Sequence, residues 1–552
     1  MNHTNHLGEL QHRLQALNPQ YVQREVLLRR IVQPNQNCEY GRKHGFAGVR
    51  AVKNFQQRVE LCRYEDIRPD IERMVHGEPG VLVSEPVRRF FLTSGSTSVP
   101  KYIPITSSLV RDKWRAFQTY WGMVRQDHPG TIRGCWITNF SDGSQEQTTP
   151  GGGLCSSESS FWNAFGGGDR KADYPLPREV LNISGAEARY YTIARILLET
   201  NVCVLMALNP STIVRLFEVL DRYGDLLMED VRTGGLSTAM NVGSHVRQYV
   251  GARYPGNAAR AEELRTILDN RQAGFPAARL WPNLQLAICW RSTMVRPYVD
   301  LLERFVAGLP QRDYITMASE GIIAIPFENG VSGGALAVDV HFYEFIPEEL
   351  ADRDNPPTLL AHEIELGGKY VVVLSTSAGL YRYNIGDVVQ VRDFIGTTPV
   401  VEFLYRTGHT CSMTGEKLTE EQVAGTVSDA ASRLGLHMRT FTMCPVATPF
   451  PRYALLAELE IASDRDLLNR FLVEVDVDLG RRNVEYRSKR TSRRLGAPEL
   501  WVLQTGSYAA LRQRRIEAGV SDVQIKVACL VRDPNWCRQF EIVEQISCES
   551  AP

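Results

Sequence analysis

Between residues 202 and 317 short apolar runs alternate with amphipathic segments. Val202-Cys-Val-Leu-Met-Ala207 precedes Pro210–Tyr223, and Leu284–Cys289 precedes Val295–Val306 and then Tyr314–Met317. Runs of aliphatic and β-branched residues of this length read as buried strands, and the longer segments, apolar at every third or fourth position, read as helices. Strands separated by helices join through crossovers and so lie parallel. An α/β protein of mostly parallel sheets flanked by helices is therefore expected. At 552 residues the chain is too long for one ordinary core, so two or more domains are expected.

Composition excludes several classes. With 43% hydrophobic and 23% charged residues the chain reads as globular, and a net charge of −1 lacks the basic excess of a nucleic-acid binder. No run reaches the roughly eighteen apolar residues of a spanning helix. The N-terminus, Met1-Asn-His-Thr-Asn-His6, lacks the basic-then-apolar pattern of a secretory signal. The 11 cysteines are scattered, without a C-x-x-C pair, so neither a disulfide framework nor a zinc site is indicated and a cytoplasmic protein is expected. Of the 62 basic residues only nine are lysines (43, 53, 101, 113, 171, 369, 417, 489 and 526). Base composition of the genome accounts for such a bias. The lysines that remain then favour places where a compact ammonium is needed and a planar guanidinium does not serve.

Along the chain, Leu7–Ile31 reads as two amphipathic helices broken at Asn18-Pro19 and covering a sheet. A helix over Ser107–Gln126 carries Trp114, Phe117 and Trp121 on one face, which suits core packing or the wall of an acyl pocket. Gly151–Ser160 and Gly166–Gly168 match no nucleotide fingerprint and read as a mobile loop near substrate, with Cys155 a bystander. The segment Arg481–Arg494, with seven basic residues, reads as a solvated connection rather than a polyanion site.

Three clusters carry candidate chemistry. Phe90-Phe-Leu-Thr-Ser-Gly-Ser-Thr-Ser-Val-Pro-Lys101 is a strand end entering six small residues. Such a loop wraps phosphate oxygens with backbone N–H groups freed by Gly95, hydroxyls of Ser94, Ser96 and Thr97, and the cation of Lys101; a serine-rich surface turn is the plain alternative. Thr316-Met-Ala-Ser-Glu-Gly321 is expected at a strand's carboxyl end, where ligands bind in open α/β sheets, with Glu320 able to hold magnesium. In Ala378-Gly-Leu-Tyr-Arg-Tyr-Asn-Ile-Gly-Asp387 the last residue is expected at a tight turn, its carboxylate accepting from ribose hydroxyls, beside a stacking platform of Tyr381-Arg-Tyr383.

The first cluster resembles the Thr-Ser-Gly-[Ser/Thr]-Thr-Gly-x-Pro-Lys signature of the ANL adenylate-forming superfamily, with Ser98 standing where that signature has glycine. Together the clusters resemble one branch of it, the Gretchen Hagen acyl acid amido synthetases. That family's motifs are met by Tyr64-Glu-Asp-Ile67, Ile71–Gly77, Ala318-Ser-Glu320, Phe342-Tyr-Glu-Phe-Ile-Pro347 and Ala378–Asp387, then by Gly415–Glu420, Gly506-Ser-Tyr508 and Gly519–Lys526. Thr316 departs from the family's usual tyrosine, and the phosphate loop is one residue shorter than in plant members.

The resemblance implies a large N-terminal domain of sheets flanked by helices (1–405), a hinge (406–418) and a small mobile α/β C-terminal domain (419–552). It implies an ATP- and Mg2+-dependent ligase that forms an acyl-adenylate, releases pyrophosphate and passes the acyl group to an amine or amino acid. By similarity Ser94, Gly95, Ser96, Thr97, Met317, Ala318, Ser319, Asp387 and Arg406 bind the nucleotide, Glu320 serves the metal, and Lys101, Lys417 and Lys526 are catalytic. Trp114, Phe117 and Trp121 are the acyl-binding candidates. The implied partners are a small carboxylic acid and an amine, acting on a monomer without nucleic acid or membrane. An acyl-CoA ligase or ester-forming enzyme shares the first half-reaction, and a non-catalytic nucleotide-binding protein is the alternative of another class.

Overall fold

The computed structural model describes residues 17–93, 101–138, 140, 146–158, 161–162, 174–269, 277–292, 295–351, 353–407, 410–414, 416, 418–447, 450–461, 464–492, 494–517, 525 and 527–547. Asn18 caps helix α1 (Pro19–Glu25): its side chain accepts from the Tyr21 amide at 3.2 Å, and Pro19 sits in the first turn, where its missing N–H is not needed. The helix continues as a π-helical segment over Val26–Val32. The break expected at Asn18-Pro19 is thus a helix start, and what precedes residue 17 lies outside the described residues. Val26, Leu27, Ile31 and Val32 pack with Phe46 and Phe55 against Phe342 and Tyr381, so this layer does cover a sheet.

Helix α2 (Tyr64–Val75) leads to a hairpin of β1 (Arg89–Thr93) and β2 (Lys101–Ile105), and then to the long helix α3 (Ser107–Asp127), capped by Thr106 through a 3.0 Å bond from Leu109 N to its Oγ1. After β3 (Cys135–Ile137), strands β4 (Gln147–Thr148) and β5 (Leu154–Ser156) join the hairpin in the order β2-β1-β5-β4, with β5 parallel to β1. The glycine-rich stretch expected as a mobile loop is therefore partly a strand. Its start is pinned on α2, since Gly151 N donates to Val75 O at 3.0 Å and a Cβ on Gly151 would overlap the Gly77 backbone. Residues 159–160 and 163–173 lie outside the described residues. Cys155 is buried in β5 and burial pushes its thiol up, as befits a bystander.

Helix α4 (Ala186–Leu197), β6 (Val202–Met206), helix α5 (Pro210–Arg222), β7 (Leu286–Ile288), helix α6 (Arg296–Phe305) and β8 (Gln311–Arg312) realise the alternation read in the sequence. Their strands extend from β3 as a parallel sheet, β3-β6-β7-β8. The largest sheet corrects that reading. It comprises β9 (Thr316–Ala318), β10 (Gly321–Ile325), β11 (Gly334–Leu336), β12 (Phe342–Pro347), β13 (Leu359–Leu360), β14 (Lys369–Ser375), β15 (Tyr383–Ile395) and β16 (Thr398–Arg406), in the order β13-β12-β14-β15-β16-β11-β10-β9. Every pairing in it is antiparallel. The reason is connection length: between β9 and β16 the only helical turn among the described residues is the 3-10 turn Glu348–Leu350, and strands joined by short links fold back on one another.

Two buried ionisable groups hold these layers together. Asp313 lies where the chain leaves β8 for the antiparallel sheet, and its carboxylate accepts from Arg291 N at 3.1 Å and Gly333 N at 2.8 Å. Arg382 sits at φ 47°, a left-handed conformation that is costly for a side chain of its size. Its guanidinium is held by both oxygens of Glu344 at 2.9 Å each, and by the carbonyls of Gln56 at 3.2 Å and Val59 at 2.8 Å. Glu344 and Arg382 have side chains only 1% and 8% exposed, so this pair is desolvated on both sides.

Beyond Cys411 the buried residues form cores drawn from the C-terminal part of the chain alone. A short hairpin, β17 (Thr410–Cys411) and β18 (Leu418–Thr419), leads into helix α7 (Glu420–Leu434), then β19 (Met438–Val446), β20 (Arg452–Leu459), helix α8 (Arg465–Arg482), helix α9 (Val484–Thr491), β21 (Glu499–Leu503), helix α10 (Ser507–Glu517) and β22 (Ile542–Ser547). The sheet order is β19-β20-β21-β22, with β20 and β21 parallel. The basic stretch from Arg481 is helical and ion-paired: Arg481 with Asp478 at 2.7 Å and Arg490 with Asp476 at 2.6 Å. Helix α6 docks this unit on the rest, through Tyr298 to Thr440 at 3.2 Å and a bidentate Arg304–Glu460 pair at 2.6 and 2.7 Å.

Removing one member of a buried ion pair strands the other, so Arg382→Met is expected to lower stability by about 3–5 kcal/mol in chemical denaturation; a loss below about 1 kcal/mol, the scale of an exposed pair, would contradict this role. Asp313 gives a pH dependence. Burial pushes its carboxyl up to about 7 from an ordinary 3.8, so between those values the folded chain binds a proton that the unfolded chain does not, and stability falls as pH rises through 7. The unfolding midpoint of the wild type should therefore drop relative to that of Asp313→Asn between pH 5 and pH 8, and a flat or opposite trend would exclude it.

Candidate functional site

The site is assembled at the ends of three pieces. The first is the hairpin: Thr93 and Lys101 face each other across β1 and β2 and close the phosphate-loop candidate. Ser94, Gly95, Ser96 and Thr97 lie outside the described residues. Lys101 Nζ stands 5.1 Å over the Tyr64 ring, and the Tyr64 hydroxyl accepts from Tyr102 N at 2.8 Å. The Tyr-Glu-Asp-Ile motif, which has no chemistry of its own in the sequence, thus braces the lysine end of the hairpin.

The second piece is the turn between β9 and β10. It is an edge hairpin of the antiparallel sheet, with Ala318 paired to Gly321, and not the carboxyl end of a parallel strand as expected. Met317, Ala318 and Ser319 are half-buried on it, as is Thr316. Glu320 is 6% exposed. Burial raises its carboxyl above the usual carboxylate range, the charges of Arg406 and Lys101 draw it back, and Asp387 pushes it up further.

The third piece is the pair β15 and β16. Asp387 and Arg406 are register partners, and Arg406 Nε donates to Asp387 Oδ1 at 2.8 Å. Asp387 is therefore within a strand, which corrects the expected tight turn. The glycine before it has another use: Gly386 stands at φ 79° and a Cβ there would lie 2.9 Å from Thr407 Oγ1, so only glycine lets β15 pass that close to the end of β16. The Asp387 carboxylate in turn raises the Arg406 guanidinium, with Glu320 contributing.

The sequence thus pointed to Lys101, Glu320, Asp387 and Arg406 separately, and the fold brings them into one electrostatic neighbourhood. Tyr383, read in the sequence only as part of a platform, belongs to it; its buried phenol is pushed up by desolvation first and by Glu320 next. The segment Tyr381-Arg-Tyr383 does stack and hydrogen-bond, but with the protein's own interior, since all three side chains are buried. Tyr381 is 2% exposed, stacks on Tyr40 at 4.8 Å and donates to Leu82 O at 2.7 Å.

Beside this cluster runs an aromatic wall. Trp114 is 37% exposed and stacks on Trp162 at 6.3 Å, while Phe117 is buried and meets Trp162 edge-on at 4.8 Å. Trp121 lies 5.2 Å from Trp136 and 6.2 Å from Tyr314. Trp162, Trp136 and Tyr314 come from three other segments, and no helical periodicity could have added them. Lys417 and Lys526 lie outside the described residues. Next to the first, Glu416 is buried and accepts from Met413 N at 2.7 Å and Thr414 N at 2.8 Å. Near the second, Cys529 N donates to the buried Glu420 at 2.6 Å.

Comparison with known proteins places the whole chain. Residues 11–311 match the GH3 family N-terminal domain, residues 334–406 the GH3 family central domain and residues 421–535 the GH3 family C-terminal domain. The probable indole-3-acetic acid-amido synthetase GH3.12 of Oryza sativa subsp. japonica is 28% identical over 93% of this chain and 91% of its own. The jasmonoyl–L-amino acid synthetase GH3.5 of the same plant is 26% identical over 93% and 92%. The solved GH3.15 acyl acid amido synthetase superposes with a TM-score of 0.85 at 22% identity, covering 100% of this chain and 99% of its own, and so shares the fold. With three successive segments matched in order over most of its length, this chain belongs to the GH3 family.

Proposed function

We propose that the protein is an ATP-dependent ligase that activates a small carboxylic acid as an acyl-adenylate, with loss of pyrophosphate, and transfers the acyl group to an amine or amino acid, giving an amide and AMP. The observation that carries this reading is the convergence of Lys101, Glu320, Asp387 and Arg406 beside an aromatic wall, in a GH3 chain. Attack of a carboxylate on a phosphate brings two anions together, so the site must supply fixed positive charge and oriented donors. Lys101, at the mouth of the phosphate loop, supplies charge; Ser94, Gly95, Ser96 and Thr97 supply the donors. Arg406 orients the Asp387 carboxylate to accept from ribose hydroxyls. Met317, Ala318 and Ser319 flank the base.

Among the described residues no group of three or more His, Cys, Asp or Glu forms a metal cage. A divalent ion at Glu320 is then held chiefly by nucleotide phosphates, which suits magnesium, an ion that takes one or two carboxylates and keeps its other places for phosphate and water. The carboxyl of Glu320 fits that role, since burial without a full charge partner leaves it in need of a cation. When bound, magnesium neutralises phosphate charge.

The domain reading is 1–405, a hinge at 406–418 and a mobile 419–552, with Lys417 and Lys526 the cations that the last unit brings to the site. In support, the cores change ownership between Tyr405 and Cys411. An aryl or other flat apolar acid fits Trp114, Trp121 and Trp162; relatives are named for indole-3-acetic and jasmonic acids, and one GH3.15 structure is a complex with 2,4-DB. The cytoplasm is the proposed compartment, supported by the ten cysteines of the described residues all being free thiols. The enzyme acts as a monomer in this reading.

The test is pyrophosphate release from ATP over a panel of aryl and aliphatic acids, each with amino acids, simple amines or coenzyme A. Release that depends on an acid and speeds up with an amine supports the reading; a response to coenzyme A alone makes the protein a thioester ligase, and ATP binding without release for any acid makes it a binding protein. Lys101→Ala and Asp387→Ala should each lower kcat/KM for release by about 10²-fold. Because the Glu320 carboxyl is raised above the usual carboxylate range and only its ionised form holds a metal, the half-saturating Mg2+ concentration should rise as pH falls toward that range, and that slope should flatten in Glu320→Gln. A slope unchanged by the substitution would remove Glu320 from the metal site.

A further inference from the structure

Lys113 is one of only nine lysines, it projects from α3, and its side chain is 1% exposed. Its ammonium donates to Glu158 Oε1 at 2.6 Å, to Ala318 O at 3.0 Å and to Ser319 O at 3.0 Å. An ammonium has three protons, and all three are used. A buried cation is tolerated only when paired and hydrogen-bonded, and here both conditions are met. The three acceptors diverge from one point, an arrangement that suits a compact ammonium and not a planar fork.

The acceptors belong to different parts of the site. Ala318 and Ser319 immediately precede Glu320, and they lie at the edge strand β9, where carbonyls are not all taken by a neighbouring strand. Glu158 also accepts from Trp162 Nε1 at 3.0 Å, and Trp162 is the ring on which Trp114 stacks and Phe117 abuts. The Phe91 ring of β1, the strand that runs into the phosphate loop, lies 5.5 Å from the ammonium. On its other side the turn is backed by a wall: a Cβ on Gly321 would lie 2.9 Å from the His341 ring, which is wholly buried. Burial and the Lys113 charge hold that ring neutral, with a pKa of about 3.

We infer that Lys113 is a positioning residue that couples the two substrate subsites: it holds the nucleotide turn against His341 and ties it, through Glu158, to the Trp162 side of the acyl wall. Displacement of Trp162 by an acid is passed through one ammonium to the carbonyls before Glu320, so acid and ATP bind with mutual dependence. This rests on the proposed adenylating role of the site.

The test compares wild type, Lys113→Met and Lys113→Met/Glu158→Gln, with ATP affinity measured by calorimetry and pyrophosphate release measured with an acid found active in the panel. The double variant leaves no unpaired buried charge, so it regains whatever unfolding midpoint the single variant loses. If Lys113 positions the turn, the double variant still binds ATP at least tenfold more weakly, and the KM values for ATP and acid rise together while kcat falls less than threefold. A stable double variant with an ATP Kd within twofold of wild type, or with a lowered kcat and unchanged KM values, would reduce Lys113 to a charge partner of Glu158 and overturn the inference. Calorimetry needs no turnover, so a wild type that binds ATP but releases no pyrophosphate would refute the proposed function while the comparison of affinities still decides the role of Lys113.

Discussion

The Arg382–Glu344 pair is the contact on which the large domain depends. It joins β12 to the turn entering β15, and through the carbonyls of Gln56 and Val59 it ties in the N-terminal layer as well. Arg382 adopts a left-handed backbone conformation that a long side chain takes only when its surroundings over-determine it. That conformation turns Tyr381 inward onto Tyr40 and starts β15 at Tyr383, four residues before Asp387. A motif that reads as chemistry is thus first an anchor, and Asp387 is placed by the strand the anchor begins.

The same economy runs through the charged groups around the site. Glu320 and Asp387 are buried beside the half-buried Arg406, and each of the three alters the proton affinity of another. Left as an ionised cluster without ligand, two carboxylates share one guanidinium and a more distant lysine. Such an arrangement gains from added positive charge and from hydroxyl donors, which magnesium and ribose would bring. The neighbouring aromatic wall supplies area and little polarity, so apolar surface and fixed charge are separated between α3 and the sheet ends.

Domain organisation follows from where cores close. The C-terminal unit has a sheet and helices of its own, yet its contact with α6 is polar: a tyrosine hydroxyl on Thr440 and a bidentate Arg304–Glu460 pair at the surface. Interfaces of this kind are stable enough to choose an orientation and weak enough to leave it. Among the described residues the contacts across this boundary include one hydroxyl pair and one ion pair.

Local pattern was sufficient for several features. The parallel sheet around Val202–Met206 and the helix Ser107–Asp127 lie where the pattern put them, because a strand buried on both faces reads as a continuous apolar run and a helix buried on one face repeats every 3.6 residues. The charged residues proposed for the site were named from motifs, since motifs specify residue types. Tertiary structure alone decided the rest. It turned Tyr381 inward, put Asp387 in a strand opposite Arg406, and set Lys113 against Ala318, Ser319 and Glu158. Each of these is a meeting of segments between about 20 and 340 residues apart, fixed by packing and by satisfaction of buried charge, for which a one-dimensional pattern holds no signal.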